Sequence, residues 1–161
     1  MSPVTIKQVN LPVIPNELIY SYEQVITLDP WVLKYEDGRV YDTDFYKVYI
    51  ANKELCDWIK SVFEEELEYI EYLVAYKPLP MHKDLERTQA YNYVTETGGN
   101  NVQTEFYDFD RTTLLSSTEC NPGTWYFLNV SYPHRVVGEL TSPRVIISVT
   151  TKAASLPRGS Q

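Results

Sequence analysis

Only two histidines occur in this 161-residue chain, and one of them, His82 in the stretch MHKD, is followed two residues later by Asp84. In an extended segment residues i and i+2 project from the same face, so His82 and Asp84 can reach one ion. Alone the pairing carries little weight. With 22 acidic residues, one of two histidines meets an acid at that offset by chance roughly a quarter of the time. A surface histidine beside a surface aspartate is then the plainer reading. The second histidine shifts the balance, because His134 follows the apolar run WYFLNV and opens the next one, in SYPHRVVGEL. Just after Pro143, Arg144 begins RVIISVTT. There Val145, Ile147 and Val149 alternate with Arg144, Ile146, Ser148 and Thr150. An arginine on the polar face of a late strand is costly unless that face lines a wet or ligand-filled cavity. Chance places an arginine within a residue of that position only about a tenth of the time.

These residues need a scaffold that projects them inward, and the periodicity of the chain supplies one. Residues 17–28 (ELIYSYEQVITL) and 45–50 (FYKVYI) read as strands. Residues 52–66 (NKELCDWIKSVFEEE) read as the one clear helix, with Asn52 as its N-cap and Leu55, Trp58, Ile59, Val62 and Phe63 on one face. That stripe is core and carries no chemistry. From residue 69 the period changes to two, predicting strands at 69–77, 87–95, 102–109, 112–118, 124–131, 134–140 and 143–151. The segments GGNN, NPG and TSP supply turns between them. One helix followed by about seven short strands predicts a mainly β sandwich or squat barrel. No repeat or linker divides the chain, so residues 1–152 are expected to form a single domain. The closing SLPRGSQ resembles a protease-site remnant, placing 153–161 outside the fold.

The order His-x-Asp, distant His, then Arg about ten residues on, all on short strands, resembles the Fe(II)- and 2-oxoglutarate-dependent oxygenases, in a compact, prolyl-hydroxylase-like and phage-type form. The resemblance spans about residues 69–151. It includes LVAYKP before His82, RTQAYNYVTETGG after Asp84, TEFYDF, WYFLNVSYPH and PRVIISVT. Tyr132-Pro133-His134 stands where relatives commonly have Asn-Pro-His. The sequence departs from the family's frequent Arg-x-Ser, since Ile146 occupies that place and the hydroxyl comes at Ser148.

The resemblance implies a double-stranded β-helix (jelly roll, cupin-like), with the helix on its larger sheet. His82, Asp84 and His134 would hold Fe(II) as a facial triad with adjacent positions open. It implies 2-oxoglutarate as cosubstrate, ascorbate as a supporting reductant, and hydroxylation of a C–H bond with release of succinate and CO2. Arg144 would anchor the far carboxylate through a bidentate pair, with Tyr93, Tyr76 and Ser148 as hydroxyl partners. Arg87 reads either as a residue at the substrate mouth or as an ordinary surface arginine. Asn92 can line the pocket only if Tyr91 and Tyr93 face the other way. Trp31, Tyr35, Asp37, Arg39 and Tyr41 could form a lid, or a plain surface loop.

Composition narrows the alternatives. A net charge of −8 leaves no basic face for a phosphate backbone, so the expected partner is a small molecule or a peptidyl side chain rather than nucleic acid. Two cysteines, Cys56 and Cys120, are too few for a disulfide scaffold and read as reduced fillers. MSPVTIKQVN is no signal peptide, and no run approaches a membrane span. A cytoplasmic protein is expected, in the host cytoplasm if viral. Two other readings stand beside the oxygenase: a cupin-like metal-binding module of different function, and a structural β-sandwich whose histidines are accidental.

Overall fold

The computed structural model describes residues 3–30 and 45–156. Among the described residues nine strands form two antiparallel sheets. The larger sheet contains β1 (Ile6–Val9), β2 (Tyr46–Ile50), β3 (Leu67–Ala75), β4 (Ala90–Glu96), β7 (Trp125–Leu128) and β9 (Arg144–Thr151), in the order β1-β7-β4-β9-β3-β2. The smaller contains β5 (Gln103–Tyr107), β6 (Leu114–Thr118) and β8 (His134–Val137), in the order β6-β5-β8. A single antiparallel bridge between His82 and His134 adds the MHKD segment beside β8, so the smaller sheet gains a short fourth rung.

From β3 onward the chain crosses between the two sheets, except at the β5–β6 hairpin within the smaller one, leaving β7 beside β4 and β9 beside β3. That is the double-stranded β-helix, a mainly β jelly roll of cupin type. The strand reading of residues 69–151 is realised, with β3 shifted two residues towards the N-terminus and the later strands shortened where turns take over the backbone hydrogen bonds.

The helix α2 (Lys53–Val62) buries Leu55 and Ile59 against the larger sheet. They meet Tyr72 and Val74 of β3, Val145, Ile147 and Val149 of β9, and Trp125 of β7 in one apolar cluster. The predicted stripe is therefore core. Its N-cap works differently from expectation: Asn52 makes no side-chain cap bond. Its amide instead donates to Leu18 O at 3.2 Å, while its Oδ1 accepts from the Tyr72 hydroxyl at 3.0 Å. Tyr72 Oη in turn accepts from Tyr20 N at 3.0 Å, and burial pushes its phenol up to about 12. This network ties the N-terminal arm to helix and sheet.

Two expectations are corrected. Residues 17–28 are not a strand but a 3-10 turn at Asn16–Leu18 and a short helix, α1 (Tyr22–Val25). Ser21 and Gln24 form a reciprocal capping box there, a local signal that outcompetes the β-rich composition. The expected tail also begins later. Ala154 is buried, Thr88 N donates to its carbonyl at 2.9 Å, and Leu156 N donates to Glu86 O at 2.7 Å. Residues 153–156 thus belong to the fold.

Candidate metal centre

Strand alternation places two different populations on the two faces of the larger sheet. On β9, Val145, Ile147 and Val149 join the helix-side cluster, while Arg144, Ile146, Ser148 and Thr150 face the smaller sheet. On β4 the same rule sends Tyr91 and Tyr93 to the helix side and Asn92 into the space between the sheets. That space is a narrow cavity of about 70 Å³, lined by His82, Asp84 and His134 at one part and by Arg87, Asn92, Thr104 and Arg144 at others.

The three candidate ligands are positioned by backbone pairing. His82 and His134 exchange both N–H···O bonds at 2.9 Å, and Asp84 N donates to Val130 O at 3.0 Å. The imidazoles then fix each other's chemistry through their outer nitrogens. Nδ1 of His82 lies 2.7 Å from Pro80 O, and Nδ1 of His134 lies 2.8 Å from Tyr132 O. A carbonyl can only accept, so both Nδ1 atoms carry a proton, and each imidazole in its neutral form presents the Nε2 lone pair inward. Both Nε2 atoms face the same oxygen, Asp84 Oδ1, at 3.4 and 3.2 Å. Ligand bonds of about 2.1 Å at right angles put donor atoms about 3 Å apart. The donor set therefore fits a divalent ion: two neutral imidazoles and one carboxylate, all ligand atoms within 4.8 Å of one another.

Electrostatics favour the liganding state of Asp84 and oppose that of His82, which must lose a proton to ligate. Burial would raise the Asp84 carboxyl, but the Arg87 guanidinium and the hydrogen bonds from His134 and His82 outweigh it and hold the group well below the usual carboxylate range. For His82, burial lowers the imidazole and Asp84 raises it, and the carboxylate prevails. Phe106 stacks on the His134 ring at a centroid distance of 5.1 Å and keeps that ligand buried.

Arg144 is 2% exposed and lines the same cavity. Its Nη1 donates to Thr97 O at 3.1 Å, and its Nε has no hydrogen-bond partner. Burial lowers its pKa, and no ion pair to it occurs among the described residues. The glycine turn after β4 closes over it. Gly98 has φ +80°, and a Cβ there would lie 2.8 Å from Ser142 O and 3.1 Å from Arg144 Cβ.

The remaining expected partners are elsewhere. Tyr93 sits on the helix side, its ring 5.1 Å from Trp125, and does not line the cavity. Tyr76 is turned away as well, bonded through its hydroxyl to Tyr22 Oη at 2.9 Å. Ser148 is on the cavity face but serves a different arginine: its Oγ accepts from Arg87 Nη1 at 2.7 Å and donates to Asn92 Oδ1 at 2.7 Å. The parity of RTQAYNYVT decides all of this, because Asn92 and Tyr93 cannot both face in. Arg87, which the sequence left undecided, is buried beside Asp84 with Nε 2.8 Å from Oδ2. Its place three residues after Asp84 was the available signal. The loop with Trp31, Tyr35, Asp37, Arg39 and Tyr41 lies outside the described residues.

No family model and no curated protein matches the chain. Solved structures with a similar course include a predicted oxalate decarboxylase from Thermotoga maritima, at TM-score 0.43 and 8% identity over 79% of this chain and 95% of that one. A Bacillus subtilis oxalate decarboxylase gives TM-score 0.47 and 11% identity over 83% of this chain and 30% of that one. The polyketide cyclase RemF from Streptomyces resistomycificus gives 0.40 and 12%, over 71% and 70%. At these scores and identities the likenesses say nothing of this chain's chemistry. The topology and the donor set stand by themselves: a cupin-type jelly roll carrying a His-Asp-His group able to hold a metal ion.

Proposed function

We propose that the chain is an Fe(II)- and 2-oxoglutarate-dependent oxygenase that hydroxylates a C–H bond of a small-molecule or peptidyl substrate. Arg144 carries the reading. A guanidinium buried in the cavity that His82, Asp84 and His134 line, with an unpartnered Nε and no ion pair among the described residues, asks for an anionic ligand, since a buried unpaired charge is expensive. A dicarboxylate offers one carboxylate to the metal and the other to Arg144.

In this reading bound Fe(II), 2-oxoglutarate and dioxygen would supply the oxidising chemistry, one oxygen atom ending in succinate as CO2 leaves and the other in the hydroxylated substrate. The protein's own part is to present the ligands and exclude competitors. Pro80 O and Tyr132 O hold the two imidazoles in the tautomer that ligates through Nε2. Phe106, Leu128, Val130 and Val136 keep the surroundings apolar, which strengthens each charge interaction inside. Thr97 O holds one arm of Arg144, leaving Nε for the ligand. The test is turnover: Fe(II)-loaded protein with oxygen and 2-oxoglutarate should release succinate, faster with a matching substrate. No succinate from the loaded protein in the presence or absence of candidate substrates would count against the oxygenase.

A second reading, a cupin-like metal module of other function, is favoured by one observation. Arg144 lacks the tyrosine and serine hydroxyls that the resemblance would place around it, because Tyr93, Tyr76 and Ser148 are committed elsewhere. It predicts metal binding without affinity for 2-oxoglutarate.

A further inference from the structure

We propose that Arg87 is a positioning residue that occupies the outer oxygen of Asp84, so that the carboxylate meets a metal through Oδ1 alone. The inference rests on the metal-binding reading of His82, Asp84 and His134. The two oxygens of Asp84 have separate surroundings: Oδ1 faces both imidazole Nε2 atoms, and Oδ2 accepts from Arg87 Nε at 2.8 Å. A carboxylate with both oxygens free can turn bidentate and fill one of the positions that a facial triad leaves open. Here the guanidinium holds Oδ2 by a charge-assisted bond, and that turn is blocked.

The guanidinium is itself fixed from behind. Its Nη1 donates to Ser148 Oγ at 2.7 Å and to Thr150 Oγ1 at 3.1 Å. Ser148 spends its own proton on Asn92 Oδ1, so its lone pairs stay turned to the arginine. The backbone is pinned too, by an antiparallel bridge from Arg87 to Ser155, with the flanking Thr88 N–H donating to Ala154 O and Leu156 N–H to Glu86 O. A row of β9 hydroxyls thus sets the angle of a metal ligand on another segment. Lysine could supply the charge but not the fork that spans Asp84 and Ser148.

Mn(II) titrated into the full chain provides the test, read by EPR for affinity and stoichiometry and by water-proton relaxation for exchangeable water on the ion. The unmodified chain should bind one Mn(II), and Asp84→Ala should bind none. Arg87→Gln should still bind it, with affinity lowered about 10- to 100-fold, the usual cost of losing a partner behind a metal ligand. It should also show one exchangeable water fewer, which a merely structural loss would not produce. Arg87→Lys should recover part of the affinity. Ser148→Ala should move both readouts the same way by less, and decides the matter with Arg87→Lys if Arg87→Gln does not fold. Unmodified affinity and water count in these variants would overturn the role of Arg87 while leaving the triad standing. Absence of Mn(II) binding by the unmodified chain would overturn both.

Discussion

At the scale of single residues, the candidate site is a matter of protons and lone pairs. His82 and His134 each commit Nδ1–H to a backbone carbonyl, so replacing either ring removes a donor whose geometry nothing else reproduces. His82→Ala and His134→Ala should each abolish stoichiometric metal binding in isothermal titration while leaving the far-ultraviolet circular dichroism unchanged. Acidity provides an independent check. The Asp84 carboxylate raises His82 above its ordinary value, so a proton competes with metal from a higher pH than for a free imidazole. Metal affinity should therefore fall as pH drops through that raised value. The metal-free protein should show the opposite slope for this group. A histidine raised on folding contributes stability that is fully present below its unfolded value and is lost as pH rises through the folded one. Thermal melts with and without metal across that range would separate the two trends.

At the scale of elements, the larger sheet divides its labour by face, and mutations on the two faces should separate accordingly. Ile59 of α2 is fully buried on the helix side, away from the cavity. Ile59→Ala should cost about 2–5 kcal/mol in denaturant unfolding, yet leave the metal affinity of the folded protein unaltered. Gly98→Ala acts on the other face. Its positive φ and the 2.8 Å approach to Ser142 O mean that an added methyl must displace the turn that covers Arg144. It should lower stability and weaken anion binding together, with metal binding retained. The strands were legible in the sequence wherever period-two alternation was sustained, from β3 to β9, and α2 was legible from its stripe. In segment 17–28 the apolar residues resemble a strand, whereas the capping box at Ser21 and Gln24 governs the local backbone.

At the scale of the whole molecule, the jelly roll brings the three ligands from two distant stretches of chain, and His82 and His134 become direct backbone partners across 52 residues of sequence. The triad was visible as residue types and order. What remained hidden was parity. Whether Asn92 or Tyr93 faces the cavity depends on a one-residue register that the flanking aromatics do not specify. The burial of Arg87 was hidden too, because its hydroxyl partners lie on β9, 61 and 63 residues away.

In the proposed function one cavity holds both a metal and the remote charge of a dicarboxylate. Anaerobic titration of 2-oxoglutarate into the Fe(II)-loaded chain, followed by the weak visible charge-transfer band, tests it most directly. A saturable band is expected, weakened at least about a hundredfold in affinity by Arg144→Ala, since leaving such a buried charge unpaired costs about 3–5 kcal/mol. Metal binding should be unaffected in that variant. A chain that binds Fe(II) but gives no band, or an Arg144→Ala variant with undiminished 2-oxoglutarate affinity, would contradict it.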